Sequence, residues 1–515
     1  MIKKRNLHQK PLDTTCQITS ALSERADWKE AYLPNTIGGP SRGVLKVDTE
    51  ILEVFEKSPD AHNNRTEPNR GEKRRASTQV GCRATSYGRR RVTTKILTGV
   101  ACLLLLFVGR TNADDWPQFR GPTAQGTSTA TGLPVEWSAA ENVAWKVPIP
   151  GQGWSSPVLV NGAIYLTAAV PVEEKDAAGK PKKKISRTLH ALKLDATTGK
   201  IVWNVEVFKQ DGATAPRIHG KNSHASPTPI VDGDRLYVHF GHQGTACLDL
   251  SGKVIWTNRE IKYPPVHGNG GSPALVDGAL VFSCDGAKDP FVIALEASTG
   301  KVRWKKPRVC DVGKKFAFCT PLAISVAGKT QVILPGVDAV VAYDPASGAE
   351  IWRVSYTGYS VVPRPVFAHG LLFISTSFDS PSVMAIRPDG SGDVTKTHVA
   401  WKMKKGAPHT PSMLVVGEAL YMVSDRGVAT CVDAKTGKVH WQERLGGNYS
   451  SSLVYADGRI YFQSEKGKGI VVEASTTYHK LATNDLKERT LASYAVGDGA
   501  LFIRSDKHLY RIGKR

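Results

Sequence analysis

The chain has 515 residues, of which 41% are hydrophobic and 22% charged. This is the composition of an ordinary soluble globular protein, and it excludes a fibrous or largely disordered one. The net charge of +21 favours anionic partners without identifying one, and we expect no nucleic-acid partner.

Residues 1–91 have no periodic apolar pattern, so we expect a disordered extension or a stretch upstream of the true translation start. Residues 96–109 form the only long apolar run, and four basic residues precede it. A run of this length suits a signal peptide better than a membrane anchor, which is the alternative. We predict a signal peptide over residues 92–113 and a mature chain from Asp114.

This assignment carries a contradiction, because a signal peptide should stand at the N-terminus and this one follows about 90 polar residues. A translation start near Val92 would resolve it, and a genuine cytoplasmic extension is the competing interpretation. We expect an exported protein of the periplasm or cell envelope, with no transmembrane span in the mature chain.

Five cysteines lie in the predicted mature chain, namely Cys247, Cys284, Cys310, Cys319 and Cys431. An odd number without a close pair argues against a disulfide framework. The sequence has no Cys-x-x-Cys-His motif for covalent haem, and no paired Cys/His spacing for structural zinc.

Residues 114–135 open the mature chain, and a strand with a tryptophan follows at residues 142–147 without a partner strand before it. A two-strand unit then recurs: Ser-Pro or a variant, an apolar strand, a tight turn and a second apolar strand. Several turns are Asn-Gly or Asp-Gly, which tolerate the positive φ of two-residue hairpins. The eight copies cover residues 155–166, 226–238, 272–282, 320–334, 362–374, 410–423, 451–462 and 492–503.

A second motif alternates with these hairpins: an apolar strand ending in Leu-Asp, a turn closed by glycine, and a strand that carries tryptophan. Its clearest copy is residues 194–203, Leu-Asp-Ala-Thr-Thr-Gly-Lys-Ile-Val-Trp. Successive tryptophans from Trp203 to Trp441 are 40 to 53 residues apart. The two motifs together predict four-stranded antiparallel units, and this period is typical of a β-propeller.

The eighth unit lacks its fourth strand, because the chain stops soon after residues 508–512. The isolated strand at residues 142–147 supplies the missing piece and closes the ring. We therefore predict an all-β, eight-bladed β-propeller of four-stranded antiparallel blades over residues 136–515. The seventh unit departs from the pattern, since neither Thr-Gly-Lys nor tryptophan follows residues 472–475.

The Asp-x-x-Thr-Gly-Lys-x-x-Trp motif resembles the pyrroloquinoline quinone (PQQ) repeat of quinoprotein propellers, over residues 136–512. Residues 115–122, Asp-Trp-Pro-Gln-Phe-Arg-Gly-Pro, resemble the start of mature, exported bacterial propellers of this type. The resemblance implies the fold. It leaves the activity open, because the same repeat builds PQQ-dependent dehydrogenases and the non-catalytic propeller lipoprotein of the outer-membrane β-barrel assembly machinery.

Propeller topology places the long, basic connections on one face, and variable loops on a rigid scaffold are where binding usually resides. Residues just before each innermost strand should ring the channel mouth there, and segments 217–224 and 267–271 bring histidines and amides to adjacent blades. The competing interpretation is that these residues cap strands and loops. The ligand-binding candidates are His219, Asn222, His224, His267, Asn269, Lys315, Arg364, His409, Tyr449 and Arg489.

The blade tryptophans have a structural interpretation, because large aromatic residues dominate the contacts between packed sheets. We predict no catalytic residue and no metal site, since the histidines lack a carboxylate or helical spacing. The predicted structural tryptophans are Trp145, Trp203, Trp256, Trp304, Trp352, Trp401 and Trp441.

The sequence favours an exported, non-catalytic binding or scaffold platform without a cofactor, monomeric, with a cell-envelope protein, an anionic small molecule or a glycan as partner. The alternative is a PQQ-dependent dehydrogenase that holds PQQ with calcium. Catalytic members of the family carry an adjacent Cys-Cys pair, and no two cysteines are neighbours in this chain. A calcium-ligand set and the large insertions that cover the cofactor also cannot be assigned.

Overall fold

The computed structural model describes residues 115–180, 182–310 and 312–514. The predicted extension at residues 1–91, the signal peptide at 92–113 and the mature start at Asp114 lie outside these residues. The described chain forms 33 strands and one 3₁₀ helix, Gly241–Gln243. None of its helices has the length and apolar character that a membrane span requires.

The strands form eight sheets, and within each sheet the four main strands pair antiparallel. Innermost strands of neighbouring blades contact one another, including those of the first and last blades, so the sheets form a closed ring. The predicted all-β, eight-bladed propeller is confirmed.

Strands A to D of each blade run from the channel outward. Blade 1 comprises Val158–Val160, Ala163–Pro171, Arg187–Asp195 and Ile201–Gln210; blade 2 comprises Ile230–Asp232, Arg235–His239, Thr245–Asp249 and Val254–Asn258. Blade 3 comprises Ala274–Val276, Ala279–Cys284, Phe291–Glu296 and Val302–Pro307; blade 4 comprises Leu322–Val326, Lys329–Pro335, Ala339–Tyr343 and Glu350–Ser355. Blade 5 comprises Val366–Ala368, Leu371–Ser375, Val383–Ile386 and Val399–Met403; blade 6 comprises Leu414–Val416, Ala419–Val423, Val428–Asp433 and Val439–Arg444. Blade 7 comprises Val454–Ala456, Arg459–Gln463, Lys468–Glu473 and Lys480–Asp485; blade 8 comprises Ala495–Gly497, Ala500–Arg504, His508–Ile512 and Val143–Pro148.

Blade 8 is built from both ends of the described chain. Its outermost strand, Val143–Pro148, pairs antiparallel with His508–Ile512, with Trp145 opposite Arg511. The predicted closure by an N-terminal strand is therefore confirmed. Closure leaves the ring without a gap at which an unpaired sheet edge would be exposed.

The hairpin between strands A and B needs positive φ at its two central residues. In blade 1 these are Asn161 at +50° and Gly162 at +70°, and in blade 8 they are Asp498 at +50° and Gly499 at +62°. Asn, Asp and Gly adopt this conformation at the lowest cost, so the Asn-Gly and Asp-Gly pairs fix the hairpin turns of blades 1, 3, 7 and 8.

The tryptophan of one blade packs against the glycine turn of the next blade. A Cβ on Gly437 in blade 6 would lie 2.9 Å from the ring of Trp401 in blade 5, and Trp401 Nε1 donates a 3.0 Å hydrogen bond to the carbonyl of Ala434. The ring is thus packed between blades while its N–H is satisfied. Equivalent hydrogen bonds of 2.9 to 3.2 Å to the next blade are donated by Trp145, Trp203, Trp256, Trp304 and Trp441.

The aspartate of the motif orders the same turn from within its own blade. Asp195 Oδ1 accepts hydrogen bonds from Thr198 N at 2.7 Å and Thr198 Oγ1 at 2.8 Å. Asp433 makes the same pair of bonds with Thr436. The threonine hydroxyl holds the pKa of each carboxyl below its usual value. The repeat therefore encodes a preformed turn that offers its glycine to the neighbouring tryptophan.

Blade 4 uses a different contact with its neighbour. Trp352 is fully buried, and its Nε1 donates to Gln331 Oε1 of the same blade at 2.8 Å. Gln331 Nε2 in turn donates to the carbonyl of Pro388 in blade 5 at 3.3 Å. The stretched connection after Pro388 also adds the short strand Gly392–Asp393, parallel to strand D of blade 4.

The seventh blade, which departs from the repeat, receives its tryptophan from elsewhere in the chain. Trp137 is 3% exposed and stacks on Tyr461 of blade 7 with ring centroids 6.4 Å apart. Its backbone N–H donates to Asn484 Oδ1 at 2.7 Å. The same hydrophobic cluster includes Tyr494 of blade 8, so Trp137 fills the interface that the repeat leaves open.

Residues 115–138 cross the end of the channel that carries the A–B hairpins, a role that the sequence did not predict. The segment is held by backbone and side-chain hydrogen bonds to innermost strands of four blades. The bonds join Trp116 N to Leu159 O, Val231 N to Pro117 O, Phe367 N to Gln125 Oε1, and Tyr455 N to Gly126 O, at 2.5 to 2.9 Å.

The tryptophan–glycine contact can be tested with two alanine substitutions at matched backbone conformations. Gly437 has φ +73° and lies against Trp401, whereas Gly162 has φ +70° and open space around it. Gly162→Ala should cost about 1–2 kcal/mol for the left-handed backbone alone. Gly437→Ala should cost roughly 1–3 kcal/mol more, because the ring must move. Urea unfolding midpoints measure both, and equal losses would contradict the contact.

Candidate functional site

The two ends of the channel differ in what covers them. The A–B and C–D turns lie at one end, where residues 115–138 cross the ring. The B–C and D–A connections lie at the other end, which we call the long-loop face. This face carries the long connections singled out by the sequence, and the candidate site is built from them.

The connection between blades 1 and 2 reaches across part of the long-loop face. Arg489, before blade 8, donates a 2.6 Å hydrogen bond to the carbonyl of Gly220, and its guanidinium lies 5.4 Å from the ring centroid of Trp154. Lys221 forms a 2.7 Å ion pair with Glu465 of blade 7. The loop is thereby tied to blades 7 and 8, and Arg489 has a role in holding it.

His219, Asn222 and His267 come together where two connections meet, as the sequence predicted for these segments. The two imidazole rings are edge to face with centroids 5.7 Å apart, and both residues are exposed. Asn222 Nδ2 donates to the carbonyl of His267 at 2.9 Å, and its Oδ1 accepts from Ser226 Oγ at 2.5 Å. Asn222 therefore joins the loops, and the histidine rings face outward.

Asn269 and His224 lie deeper, beside His242. Tyr263 donates a 2.5 Å hydrogen bond to Asn269 Oδ1, and Asn269 Nδ2 lies 3.2 Å from His242 Nδ1. Burial lowers the pKa of His224 and of His242 to about 4. Both imidazoles are thus neutral at pH 7, and that of His242 takes part in hydrogen bonds without charge.

Asp285 is a functional candidate that the sequence did not single out. It lines a small, narrow cleft together with His239, Asn269 and Cys319. Its carboxylate is buried, accepts no hydrogen bond from the described residues, and lies 3.3 Å from Arg308 Nη1 without hydrogen-bond geometry. Burial raises its pKa to about 6, although Arg308 acts in the opposite direction. The only signal in the sequence was a single acidic residue at the end of an apolar strand, on a face whose connections are mostly basic.

An arc of aromatic rings continues from the histidine pair along the long-loop face. Successive ring centroids lie 4.8 to 6.3 Å apart, which is the spacing of rings in contact. The arc joins two predicted sites, because it links the histidine pair to His409 near blade 6. We call these six rings the aromatic arc: His219, His267, Phe316, Tyr359, Phe378 and His409.

Lys314 packs on the middle of the aromatic arc, and Lys315 follows it in the chain. Lys314 Nζ lies 4.1 Å from the ring centroid of Tyr359 and donates a 2.8 Å hydrogen bond to its hydroxyl. Lys315, another predicted site residue, is half-buried and bonds no other described side chain. The surface therefore combines flat aromatic rings with positive charge, a combination suited to acidic groups on a partner.

Arg364 and Tyr449 differ from the prediction that they ring the mouth. Both are buried, at 2% and 0% exposed. Arg364 points into the channel, where it donates to the carbonyls of Phe119 at 2.8 Å and Pro321 at 3.0 Å. Tyr449 packs in the hydrophobic interior of blades 6 and 7. A position before strand A can face either the mouth or the adjacent blades, and sequence spacing does not decide which.

Comparison with known proteins identifies the family of the chain. The family model described as outer membrane protein assembly factor BamB matches residues 127–258, 184–309, 292–393 and 337–510, which together span most of the described chain. The chain belongs to this PQQ-repeat propeller family. Among curated proteins, none matches the chain.

Solved structures of the PQQ-repeat family resemble the fold at low sequence identity. BamB from Moraxella catarrhalis aligns with a TM-score of 0.50 and 11% identity, over 72% of this chain and 97% of that one. Quinohemoprotein alcohol dehydrogenases from Comamonas testosteroni and Pseudomonas putida HK5 each align with a TM-score of 0.56 and 12% identity, over 78% of this chain and 81% of theirs. At this identity the likeness establishes the fold of the PQQ-repeat chain and nothing finer.

The PQQ-repeat family includes enzymes that hold PQQ with calcium, so we tested whether the channel mouth fits that pair. Calcium takes six to eight oxygen ligands. The described residues contain no group of three His, Cys, Asp or Glu side chains arranged for a metal ion. Asp425 is bonded to His409 N and Thr410, and Glu465 to Ser450 and Lys221, all at 2.6 to 2.7 Å. Asp425 and Glu465 are thus engaged and Asp285 faces only Arg308, so the described residues present no ligand set that fits calcium-bound PQQ.

The buried carboxyl of Asp285 predicts a specific pH dependence of stability. Its pKa is raised in the folded state, so the stability it contributes is present at low pH and is lost as pH rises to about 6. Asp285→Asn removes this titration. As pH rises from 4 to 7, the free energy of unfolding of the variant relative to that of wild type should increase by on the order of 2 to 3 kcal/mol.

The measurement is urea unfolding across that pH range. Asp289→Asn is the matched control, because it makes the same exchange at an exposed position of the same loop. We expect its pH profile to parallel wild type. A parallel profile for Asp285→Asn as well would show that the buried carboxyl is not the titrating group.

Proposed function

We propose that the chain is an exported, non-catalytic propeller that acts as a binding platform for an acidic cell-envelope partner. The aromatic arc, with Lys314 against its centre, is the observation that carries the proposal. Five of the six rings, all but the buried Phe316, are at least partly exposed and offer an extended surface. This shape suits a segment of protein better than a small molecule or glycan.

The electrostatics of the long-loop face support an acidic partner. Lys314 has one acidic neighbour, Asp379, at 3.7 Å, and both groups are at least half exposed. Lys315 has no acidic partner among the described residues. Exposed lysines beside aromatic rings attract carboxylates over a distance of about a Debye length and also steer their approach.

The composition of the arc supports a protein partner. Phe378 is 37% exposed, although a side chain of this size is normally more deeply buried in a monomer. Aromatic residues are enriched at the centres of protein interfaces, where a few anchors carry most of the binding free energy. Phe378 and Tyr359 are the anchors that we expect.

The family supports the location. The description of the matching family names an outer membrane protein assembly factor, and one structural neighbour bears that name. A role in the cell envelope with a protein partner is consistent with those relatives, and we extend it to this chain as part of the proposal. A monomeric propeller would suffice for such a platform, because each ring is complete in itself.

The alternative function is a PQQ-dependent dehydrogenase. The fold likeness to quinohemoprotein alcohol dehydrogenases favours it. The hydrogen bonds that engage Asp425 and Glu465, and the absence of adjacent cysteines, weigh against it. Of the five cysteines in the described part of the chain, four are buried and the fifth, Cys310, is partly exposed.

Charge reversal on one face against the other tests the platform. The long-loop variant carries Arg217→Glu, at an exposed position of the connection between blades 1 and 2, together with Lys314→Glu and Lys315→Glu. The control carries Lys200→Glu, Lys301→Glu and Lys438→Glu at exposed C–D turns. Both variants change the net charge equally. With a fluorescent poly-glutamate peptide as probe, the long-loop variant should bind about tenfold more weakly, since three exposed pairs contribute about 0.5 kcal/mol each. The control should bind like wild type, and equal loss in both variants would show that only net charge matters.

The same pair of variants identifies a specific partner in cells. Photo-crosslinking from Phe378 in the native envelope should give a product with wild type and with the C–D turn control. The long-loop variant should lose that product. A product that persists in the long-loop variant would place the interface elsewhere on the ring.

A further inference from the structure

Two arginines are buried together in the channel beneath the N-terminal segment. Arg120 belongs to the segment itself and is 1% exposed. Arg364 stands at the start of blade 5 and is 2% exposed. The two side chains are neighbours, because Arg364 Nη1 donates to the carbonyl of Phe119, the residue before Arg120, at 2.8 Å, and Arg364 contributes to the lowered pKa of Arg120. Two like charges therefore share one enclosed space.

The hydrogen bonds of these arginines leave donors unused. Arg120 Nη2 donates to the carbonyls of Gln125 at 2.7 Å and Met413 at 2.6 Å. Arg120 Nε and Nη1 are buried and have no hydrogen-bond partner among the described residues. A buried donor without a partner costs free energy that the fold must recover elsewhere.

The charges are unpaired as well. Neither Arg120 nor Arg364 forms an ion pair with a carboxylate of the described chain, and both bond only to neutral groups. Burial lowers the pKa of Arg120 to about 9 and that of Arg364 to about 10. Both guanidiniums remain protonated at neutral pH. An uncompensated pair of buried cations is strongly unfavourable unless a counter-charge lies between them.

A third buried arginine shows that donors without a partner are not a general feature of buried arginines in this propeller. Arg504 of blade 8 is also 2% exposed, but its Nη1 donates to Ser155 Oγ at 2.6 Å and to the Thr167 carbonyl at 2.9 Å. None of its nitrogens is buried without a partner. Among these three buried arginines, only Arg120 has both buried donors without a partner and a second arginine beside it.

We propose that a small anion binds in the channel between the guanidiniums of Arg120 and Arg364 and locks the N-terminal segment onto the ring. The unused donors Nε and Nη1 of Arg120 are fully buried, which suits only a small ligand. The ligand is therefore a halide or a carboxylate of formate size. Guanidinium donors bind either kind through charge-assisted hydrogen bonds.

Diffraction from crystals of the full chain grown in bromide tests the site directly. We expect an anomalous peak in hydrogen-bonding contact with Arg120 Nη1 and near Arg364. A parallel crystal grown in formate without halide distinguishes the two sources, because formate gives planar density at the same place. Ordered water alone in both crystals would overturn the proposal.

Thermal unfolding tests the site in solution. At constant ionic strength, replacing gluconate by chloride or formate should raise the Tm of wild type with a saturating dependence on anion concentration. Arg364→Met should remove that dependence, whereas Arg504→Met should keep it while lowering the Tm overall. Loss of the dependence in both variants, or its absence in wild type, would contradict a bound anion. If a variant does not fold, the bromide crystal of wild type decides the matter.

Discussion

The packing of a strand D tryptophan on the glycine turn of the next blade is the interaction on which the ring depends. This contact fixes the distance and angle between neighbouring sheets, because the indole ring must fit over a turn residue that has no Cβ. The indole N–H must also reach a carbonyl of that turn. The motif therefore conserves geometry from blade to blade without carrying chemistry. Where the pattern fails, other parts of the chain restore the contact: Gln331 links blades 4 and 5, and Trp137 fills the interface of blades 7 and 8.

In a propeller fixed in this way, the contacts that hold the blades together and the surface that is free for binding lie in different places. The C–D turns are used by the interblade contacts, and the A–B end of the channel is crossed by residues 115–138. The long-loop face is left to vary, and there the connections bring histidines, aromatic rings and lysines into one continuous surface. The loop tied down by Arg489 and Lys221 covers part of the mouth on that side. This arrangement suits the docking of a partner across the face better than chemistry within the channel.

The sequence predicted the features that local rules determine. Blade number, hairpin positions and ring closure followed from turn residues and strand period, and the meeting of His219 with His267 followed from the order of the loops. Long-range contacts could not be predicted. The N-terminal segment has no apolar period, yet it bonds strands more than 200 residues away, such as the one beginning at Val366. The burial of Arg364, the unbonded carboxylate of Asp285 and the row of rings from Phe316 to His409 depend on side-chain direction, which spacing does not fix.

The central claim is that this PQQ-repeat ring binds a partner and does not work as a quinone enzyme. Incubation of the purified full chain with PQQ and calcium tests it most directly, with an apo PQQ-dependent dehydrogenase as positive control under the same conditions. Absorbance of protein-bound quinone after gel filtration and reduction of an artificial dye with alcohols or sugars are the two readouts. We expect neither bound quinone nor dye reduction. Stoichiometric quinone binding with substrate-dependent dye reduction would contradict it.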